Sequence, residues 1–207
     1  MISSSDVILV TSDDLESDDP YAIIQSNIDA VNYLYDHGVE QSNIAAAALH
    51  SYYVDFYHSE VHNGGHSQFI WNSHWEAVAI SYLRQGLIEM GALKHLEIFD
   101  VCAEFINSLT QSELEKYLAT PYSHIPQLAD LDDRFYKIKD DEGLIAINSG
   151  WLKTHPLLTA YSKQEWQAKL KSRFAKRNQL SIDRPSLARV ASRRTLAGVL
   201  TSWLRRR

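Results

Sequence analysis

Hydrophobic residues recur at intervals of three and four along most of the chain, which is the period of a helix with one buried face. Asp18-Asp19-Pro20 predicts a helix start, because acids suit the first turn and Pro suits its first position. Gly38 predicts the end of that helix in a left-handed cap. A second helix is predicted over residues 42–62, because the aromatic face of this run ends at Asn63-Gly64-Gly65, which stops helices.

Three capping boxes predict further helix starts: Ser73-x-x-Glu76, Thr110-x-x-Glu113 and Ser162-x-x-Glu165. In each box the hydroxyl accepts from a backbone amide, and the Glu accepts from the amide of the capping residue. The helix that begins at Ser73 is predicted to end at Gly91. Other helices are predicted over residues 93–109, 144–153 and 187–207.

Two segments lack the helical period. Val7 to Val10 suits a short strand or an extended arm, and residues 121–141 mix turn residues with acids. Persistent alternation of polar and apolar residues is absent from the sequence. We therefore predict an all-α fold, a compact multi-helix domain with a basic amphipathic C-terminal helical extension.

Charge divides the chain into two parts of opposite sign. Residues 1–150 hold 24 Asp/Glu and 6 Lys/Arg, a net charge of −18, whereas residues 151–207 hold 2 Asp/Glu and 14 Lys/Arg, a net charge of +12. Together with the helical pattern, this predicts an N-terminal arm over 1–17, an acidic helical domain over 18–160 and a basic helical extension over 161–207.

The acidic residues form two groups that are candidates for binding a basic partner. Acids of this kind also serve as solvated faces and helix starts, which is the alternative interpretation. The first group is Asp13, Asp14, Glu16, Asp18 and Asp19. The second group is Asp130, Asp132, Asp133, Asp140, Asp141 and Glu142.

A histidine cluster is the strongest candidate for metal chemistry. His58 and His62 are four residues apart and share a helix face, so that with Glu60 or His66 they could supply three ligands. The order is not that of the H-E-x-x-H motif, and capping histidines near a helix end are the alternative. No cofactor is predicted.

Catalytic residues are not identified. Cys102 falls in a predicted helix interior and is typical of a small buried hydrophobe. Phosphate-binding glycine motifs and the G-x-S-x-G motif of hydrolases are absent from the sequence. A non-enzymatic protein is therefore favoured.

The basic C-terminal part allows three interpretations: binding of nucleic acid, contact with an anionic membrane, or packing on the acidic body. Its apolar face, which includes Trp203, favours packing. No stretch is long and apolar enough to span a bilayer, and the N-terminus lacks the features of a signal peptide. With Cys102 as the single cysteine, these features predict a soluble cytoplasmic protein.

The segment from Tyr52 to Ser73 resembles a known family, the bacterial DNA-mimic proteins, a helical domain otherwise of unknown function. The signature is an aromatic helix, an Asn-Gly-Gly turn and Gln-aromatic-x-aromatic-Asn. The matching residues are Asn63, Gly64, Gly65, Gln68, Phe69, Trp71 and Asn72. The similarity extends over about residues 45 to 155. From the residues themselves, these positions suit closing a turn, with a small polar pocket of His62, Gln68 and Asn72 as the alternative.

The resemblance implies an all-α domain without known catalytic residues. A characterised type of member is an acidic dimer that imitates duplex DNA and sequesters a DNA-binding transcription factor. Our leading hypothesis is accordingly a protein-interaction module whose acidic face binds a basic protein. The alternatives are an enzyme centred on His58, His62 and His66, and nucleic-acid binding through the basic C-terminal part.

Overall fold

The computed structural model describes residues 7–120, 125–139 and 142–182. This part of the chain is mainly helical, which confirms the predicted all-α class. The helices are α1 (Ser12–Glu16), α2 (Pro20–Asp36), α3 (Ala46–Ser73), α4 (Ala77–Glu89), α5 (Leu93–Ser108), α6 (Gln111–Ala119), α7 (Ala129–Tyr136), α8 (Leu144–Thr154) and α9 (Lys163–Ile182). Two short strands complete it, β1 (Ile8–Thr11) and β2 (Leu158–Tyr161).

The chain divides into two compact units. The first comprises Met1–Leu49 together with Leu152–Arg207, and the second comprises His50–Trp151. The helix predicted over residues 187–207 lies outside the described residues. Within the described part of the chain, no helix combines the length and the apolar character that crossing a membrane requires.

In the first unit, β1 pairs in parallel with β2, with Ile8 opposite Leu158. Side chains bind the other edge of β1. Trp166 Nε1 donates to the Leu9 carbonyl at 3.1 Å, and Arg173 donates to the Val7 carbonyl at 3.0 Å. An unpaired strand edge exposes backbone groups that need partners, and α9 supplies partners for these two carbonyls.

The local start and stop signals of several helices are confirmed. Asp19 caps α2 by accepting from the Tyr21 amide at 2.9 Å. Gly38 has a φ of +71°, and the Val39 amide returns to the Leu34 carbonyl at 2.9 Å, as in a left-handed helix end. The capping boxes at Thr110 and Ser162 are both formed.

One predicted helix start is wrong, and one helix was not predicted. Ser73 does not cap α4, because α3 continues to Ser73, whose hydroxyl donates to the Ile70 carbonyl and accepts from the Trp75 amide. The segment 121–141, for which no helix is predicted, contains α7. Leu131 and Phe135 are buried one turn apart on α7, and that i, i+4 pair is the signal for this helix.

In the second unit, the core is built around aromatic side chains from α3 and α5. Tyr57, Phe69 and Phe99 are buried, and the Tyr57 ring lies 5.0 Å from the Phe69 ring and 5.7 Å from the Phe99 ring. Gly86 lets α4 approach α3 closely, since a Cβ there would lie 3.0 Å from the His50 carbonyl oxygen. Tyr57 and Phe69, which belong to the Tyr52–Ser73 motif, are therefore part of this core.

Candidate functional site

The Asn-Gly-Gly tripeptide interrupts α3, and the helix resumes after it. Gly65 has a φ of +71°, a left-handed conformation that favours glycine. The predicted helix stop is therefore present at this point, but the second half of α3 follows directly and runs to Ser73. The motif residues Gln68, Phe69, Trp71 and Asn72 lie on this second half.

Asp132 of α7 binds the start of the resumed helix. Its Oδ1 accepts from the His66 backbone amide at 2.8 Å and lies 2.6 Å from His66 Nδ1. The first amides of a helix lack intrahelical partners, so a carboxylate at this place is favourable. A Cβ at Gly65 would lie 2.4 Å from Asp132 Oδ2, which makes glycine necessary for this approach.

Tyr57 extends this contact into the core. Its hydroxyl lies 2.8 Å from His66 Nε2, and both side chains are fully buried. Burial above all, with Cys102 and Asp132 nearby, raises the pKa of Tyr57 well above its usual value, so the hydroxyl keeps its proton. With Nδ1 donating to Asp132 and Nε2 accepting from Tyr57, the His66 ring gives each of the three groups a hydrogen-bond partner.

Glu60 binds the two motif amides across the interruption. This carboxylate is fully buried, and its Oε2 accepts from Gln68 Nε2 at 2.9 Å and from Asn72 Nδ2. Side-chain amides such as those of Gln68 and Asn72 are suited to pairing with loop backbone. In the structure, both amides donate to the Glu60 carboxylate instead. Gln68 and Asn72 are four residues apart on one helix face, which explains why a single carboxylate meets both.

The two aromatic motif residues differ in their surroundings. Phe69 is buried against Tyr57, Phe99 and Trp75, with the Trp75 ring 6.1 Å away. Trp71 is half-buried and lies 6.4 Å from the His74 ring. Phe69 is therefore the more deeply buried of the two.

The structure does not bring the three candidate metal ligands together. His66 is directed to Tyr57 and Asp132, and Glu60 to Gln68 and Asn72, whereas the His58 and His62 rings lie 4.3 Å apart. Among the described residues, no group of three His, Cys, Asp or Glu side chains is arranged to hold a metal ion. Desolvation by partial burial lowers the pKa of His62.

Cys102 is fully buried on α5, as expected for a small hydrophobe. Burial, with a smaller contribution from Asp132, raises the pKa of its thiol to about 12. The thiol is therefore protonated at neutral pH and is a poor nucleophile.

The first acidic group lies at the surface of the first unit. Asp14 is half-buried and Asp19 is exposed, and both serve locally: Asp14 accepts from the Thr11 hydroxyl at 2.6 Å, and Asp19 caps α2. Asp13, Glu16 and Asp18 are exposed. Within the described residues, no Lys or Arg forms an ion pair with these three.

The second acidic group belongs to the second unit and is partly occupied by internal contacts. Asp132 binds His66, and Glu142 pairs with Lys94 at 2.5 Å. Asp130 and Asp133 are exposed on α7. The remaining members, Asp140 and Asp141, lie outside the described residues.

The adjacent residues Asp132 and Asp133 allow a matched test of this assignment. We expect Asp132→Asn to lower the free energy of unfolding by about 2 kcal/mol, because it removes a charge-assisted hydrogen bond from a largely buried site. We expect Asp133→Asn, at an exposed position, to change it by less than about 0.5 kcal/mol. Urea unfolding of both variants measures the difference, and equal shifts would contradict the role assigned to Asp132.

Together, fold and motif define an all-α protein built around a glycine-interrupted helix whose two halves are joined by the buried Glu60 carboxylate. The chain matches the family model described as DMP19-like protein over residues 42–155, more than half of its length, and belongs to that family. This confirms the family resemblance of the Tyr52–Ser73 motif. No curated protein matches the chain, and no solved structure matches it.

Proposed function

We propose that this protein is a non-enzymatic interaction module whose acidic surface binds a basic protein, and that the partner is a DNA-binding regulator. The observation that carries the proposal is the exposed first acidic group on a chain of the DMP19-like family. The same proposal includes a cytoplasmic location and a homodimer, both of which rest on the sequence and the family resemblance.

The electrostatic support comes from the absence of cations along the first part of the chain. Residues 1–83 contain 12 Asp/Glu and no Lys or Arg. Asp29 on α2 is a further carboxylate of the first unit that solvent reaches. Partial desolvation, and to a smaller extent the nearby Asp14, raises the pKa of Asp29 against the opposing hydrogen bond from Gln25. Carboxylates close enough to affect one another produce a negative potential that attracts a basic surface.

A DNA-binding protein offers a basic surface of this kind, because its cationic cleft is adapted to about one phosphate charge per 1.7 Å of duplex axis. The first acidic group is a better candidate for this contact than the second. Its members Asp13, Glu16 and Asp18 retain exposed carboxylates. In the second group, Asp132 and Glu142 bind groups of their own unit, which leaves Asp130 and Asp133 exposed.

Charge reversal tests the assignment. The full chain is immobilised at low salt and offered host proteins that were first enriched on duplex DNA. We expect the triple variant Asp13→Lys, Glu16→Lys and Asp18→Lys to retain at least about tenfold less protein, because it removes three attractive charges and adds three repulsive ones. Retention by the unmodified chain should fall steeply between 50 and 200 mM salt, as it does for contacts made through phosphate-like charge.

The matched control changes the same number of charges elsewhere. Glu76→Lys, Glu104→Lys and Glu115→Lys alter three exposed residues of the second unit outside both acidic groups, and retention should be affected much less. Added duplex DNA should release the bound protein, provided that the chain alone does not bind the same DNA. Equal losses in the two triple variants, or release by neither salt nor DNA, would contradict the proposal.

A further inference from the structure

His58 and His62 form a close pair on the first half of α3. Their ring centroids are 4.3 Å apart with an angle of 53° between the ring planes, so the rings do not stack. His62 is exposed and His58 is half-buried. A spacing of four residues places both on one face of the helix, at a point that solvent reaches.

We propose that His58 and His62 together bind one divalent transition-metal ion, a two-histidine site that is independent of the acidic surface. Two imidazoles that bind one ion at about 90°, the angle of octahedral or square-planar coordination, with nitrogen–metal distances of about 2.1 Å, have ring centroids about 4.5 Å apart. The observed separation is close to this value. The two rings are therefore close enough to bind one ion once a nitrogen of each ring faces it.

Aromatic contacts restrain one ring of the pair. The His62 ring lies 5.5 Å from both the Phe135 and the Tyr136 rings. The Tyr136 hydroxyl donates to the Val61 carbonyl, which fixes this tyrosine against α3. A ligand whose orientation is restrained before binding loses less conformational entropy when the ion arrives.

The donor set selects the class of ion. Neutral imidazoles suit Cu²⁺, Ni²⁺ and Zn²⁺, whereas Mg²⁺ and Ca²⁺ prefer oxygen ligands. Glu60 and His66, which are engaged with other groups of the second unit, do not join the pair. Water completes the coordination of an ion held by two histidines, so this is a binding site and no reaction is assigned to it.

Titration of the untagged full chain with NiCl₂ alone, in a non-coordinating buffer at pH 7.5, tests the site. We expect one ion to bind per chain, and His58→Ala and His62→Ala each to weaken binding at least about tenfold, because either change leaves a single ligand at the site. His74→Ala alters another exposed histidine of the same unit and should leave the affinity unchanged. Circular dichroism checks that each variant is folded. If an alanine variant is not folded, His62→Gln is used in its place to remove one ligand of the pair.

Electron paramagnetic resonance of the Cu²⁺ complex provides a second measurement. Hyperfine coupling to two equivalent imidazole nitrogens, lost in His62→Gln, would support the site. Identical NiCl₂ affinities for the unmodified chain and both alanine variants would overturn it, and so would a Cu²⁺ signal without coordinated nitrogen. Loss of partner binding in the charge-reversal variant leaves these results unaffected, so the two proposals fail separately.

Discussion

Gly65→Ala is expected to lower the free energy of unfolding by about 3 kcal/mol or more, an unusually large effect for the addition of one methyl group. Two costs combine. The left-handed conformation of Gly65, with a φ of +71°, costs about 1 kcal/mol or more for an alanine. The new Cβ also meets the Asp132 carboxylate, which must leave its position against the His66 amide and imidazole.

Two other glycines separate these costs. Gly91 has a φ of +68°, but apart from its own chain neighbours no heavy atom lies within 4 Å of the place that a Cβ would occupy, so Gly91→Ala should cost about 1 kcal/mol from conformation alone. Gly150 lies in α8 with equally open space, and Gly150→Ala should stabilise the protein by about 0.5 to 1 kcal/mol. Urea unfolding of Gly65→Ala, Gly91→Ala and Gly150→Ala measures the three changes in the free energy of unfolding.

A double variant then tests the cause. Asp132→Ala removes the carboxylate that Gly65→Ala displaces, so the two changes together should cost clearly less than the sum of the separate losses. Similar losses for Gly65→Ala and Gly91→Ala, or strict additivity with Asp132→Ala, would show that the carboxylate does not require glycine at this position.

Stability should also fall on acidification because of His95. This side chain is buried, with its Nε2 3.2 Å from the Glu142 carbonyl oxygen, and within the described residues its Nδ1 has no hydrogen-bond partner. Burial lowers the pKa of His95 from 6.5 to about 4, against the opposing effect of the Glu142 carbonyl. The folded protein therefore holds His95 neutral where the unfolded chain protonates it.

The number of protons bound by the folded and unfolded states sets the direction in which stability changes with pH. Between pH 6.5 and about 4 the unfolded state binds more protons at His95 than the folded state, so its contribution to stability is complete above pH 6.5 and declines as the pH falls. Between pH 7.5 and pH 5 the expected loss is about 2 kcal/mol. Chemical denaturation at the two pH values measures it.

His95→Gln isolates this contribution from that of the other titrating groups. Glutamine can still donate to the Glu142 carbonyl but does not titrate, so the variant should lose about 2 kcal/mol less than the unmodified chain between the two pH values. His95→Met serves the same purpose if the glutamine variant is too unstable. Parallel pH dependences for the variant and the unmodified chain would show that His95 is not the group responsible.

The elements whose start and end signals lie within one or two turns were predictable from the sequence. Asp19 and Pro20 start α2, and Thr110 with Glu113 starts α6, because a capping residue satisfies amides only a few positions away. The same local pattern failed at Ser73, where the hydroxyl binds groups of α3 and the adjoining turn instead. A capping motif states what a side chain can bind, and the path of the chain decides what it does bind.

The motif residues were predictable as a set, but their partners were not. Gln68 and Asn72 stand out by type and spacing, yet the sequence pattern presents Glu60 only as a candidate metal ligand and Asp132 only as part of an acidic surface. Asp132 lies 66 residues from His66 in the chain, and the parallel pairing of β1 with β2 joins segments still farther apart. No periodicity along the chain encodes such contacts, because packing of whole elements brings these residues together.

The helical class, the family and the division of charge follow from the residues alone, because period, motif and composition are properties of the chain. The roles of individual side chains depend on the folded arrangement. It left Asp13, Glu16 and Asp18 exposed, directed Asp132 to the interruption of α3, and separated His66 from the pair of His58 and His62. The physical reason is that burial and hydrogen-bond partners depend on which elements pack together, and identical residue types acquire different roles from that packing.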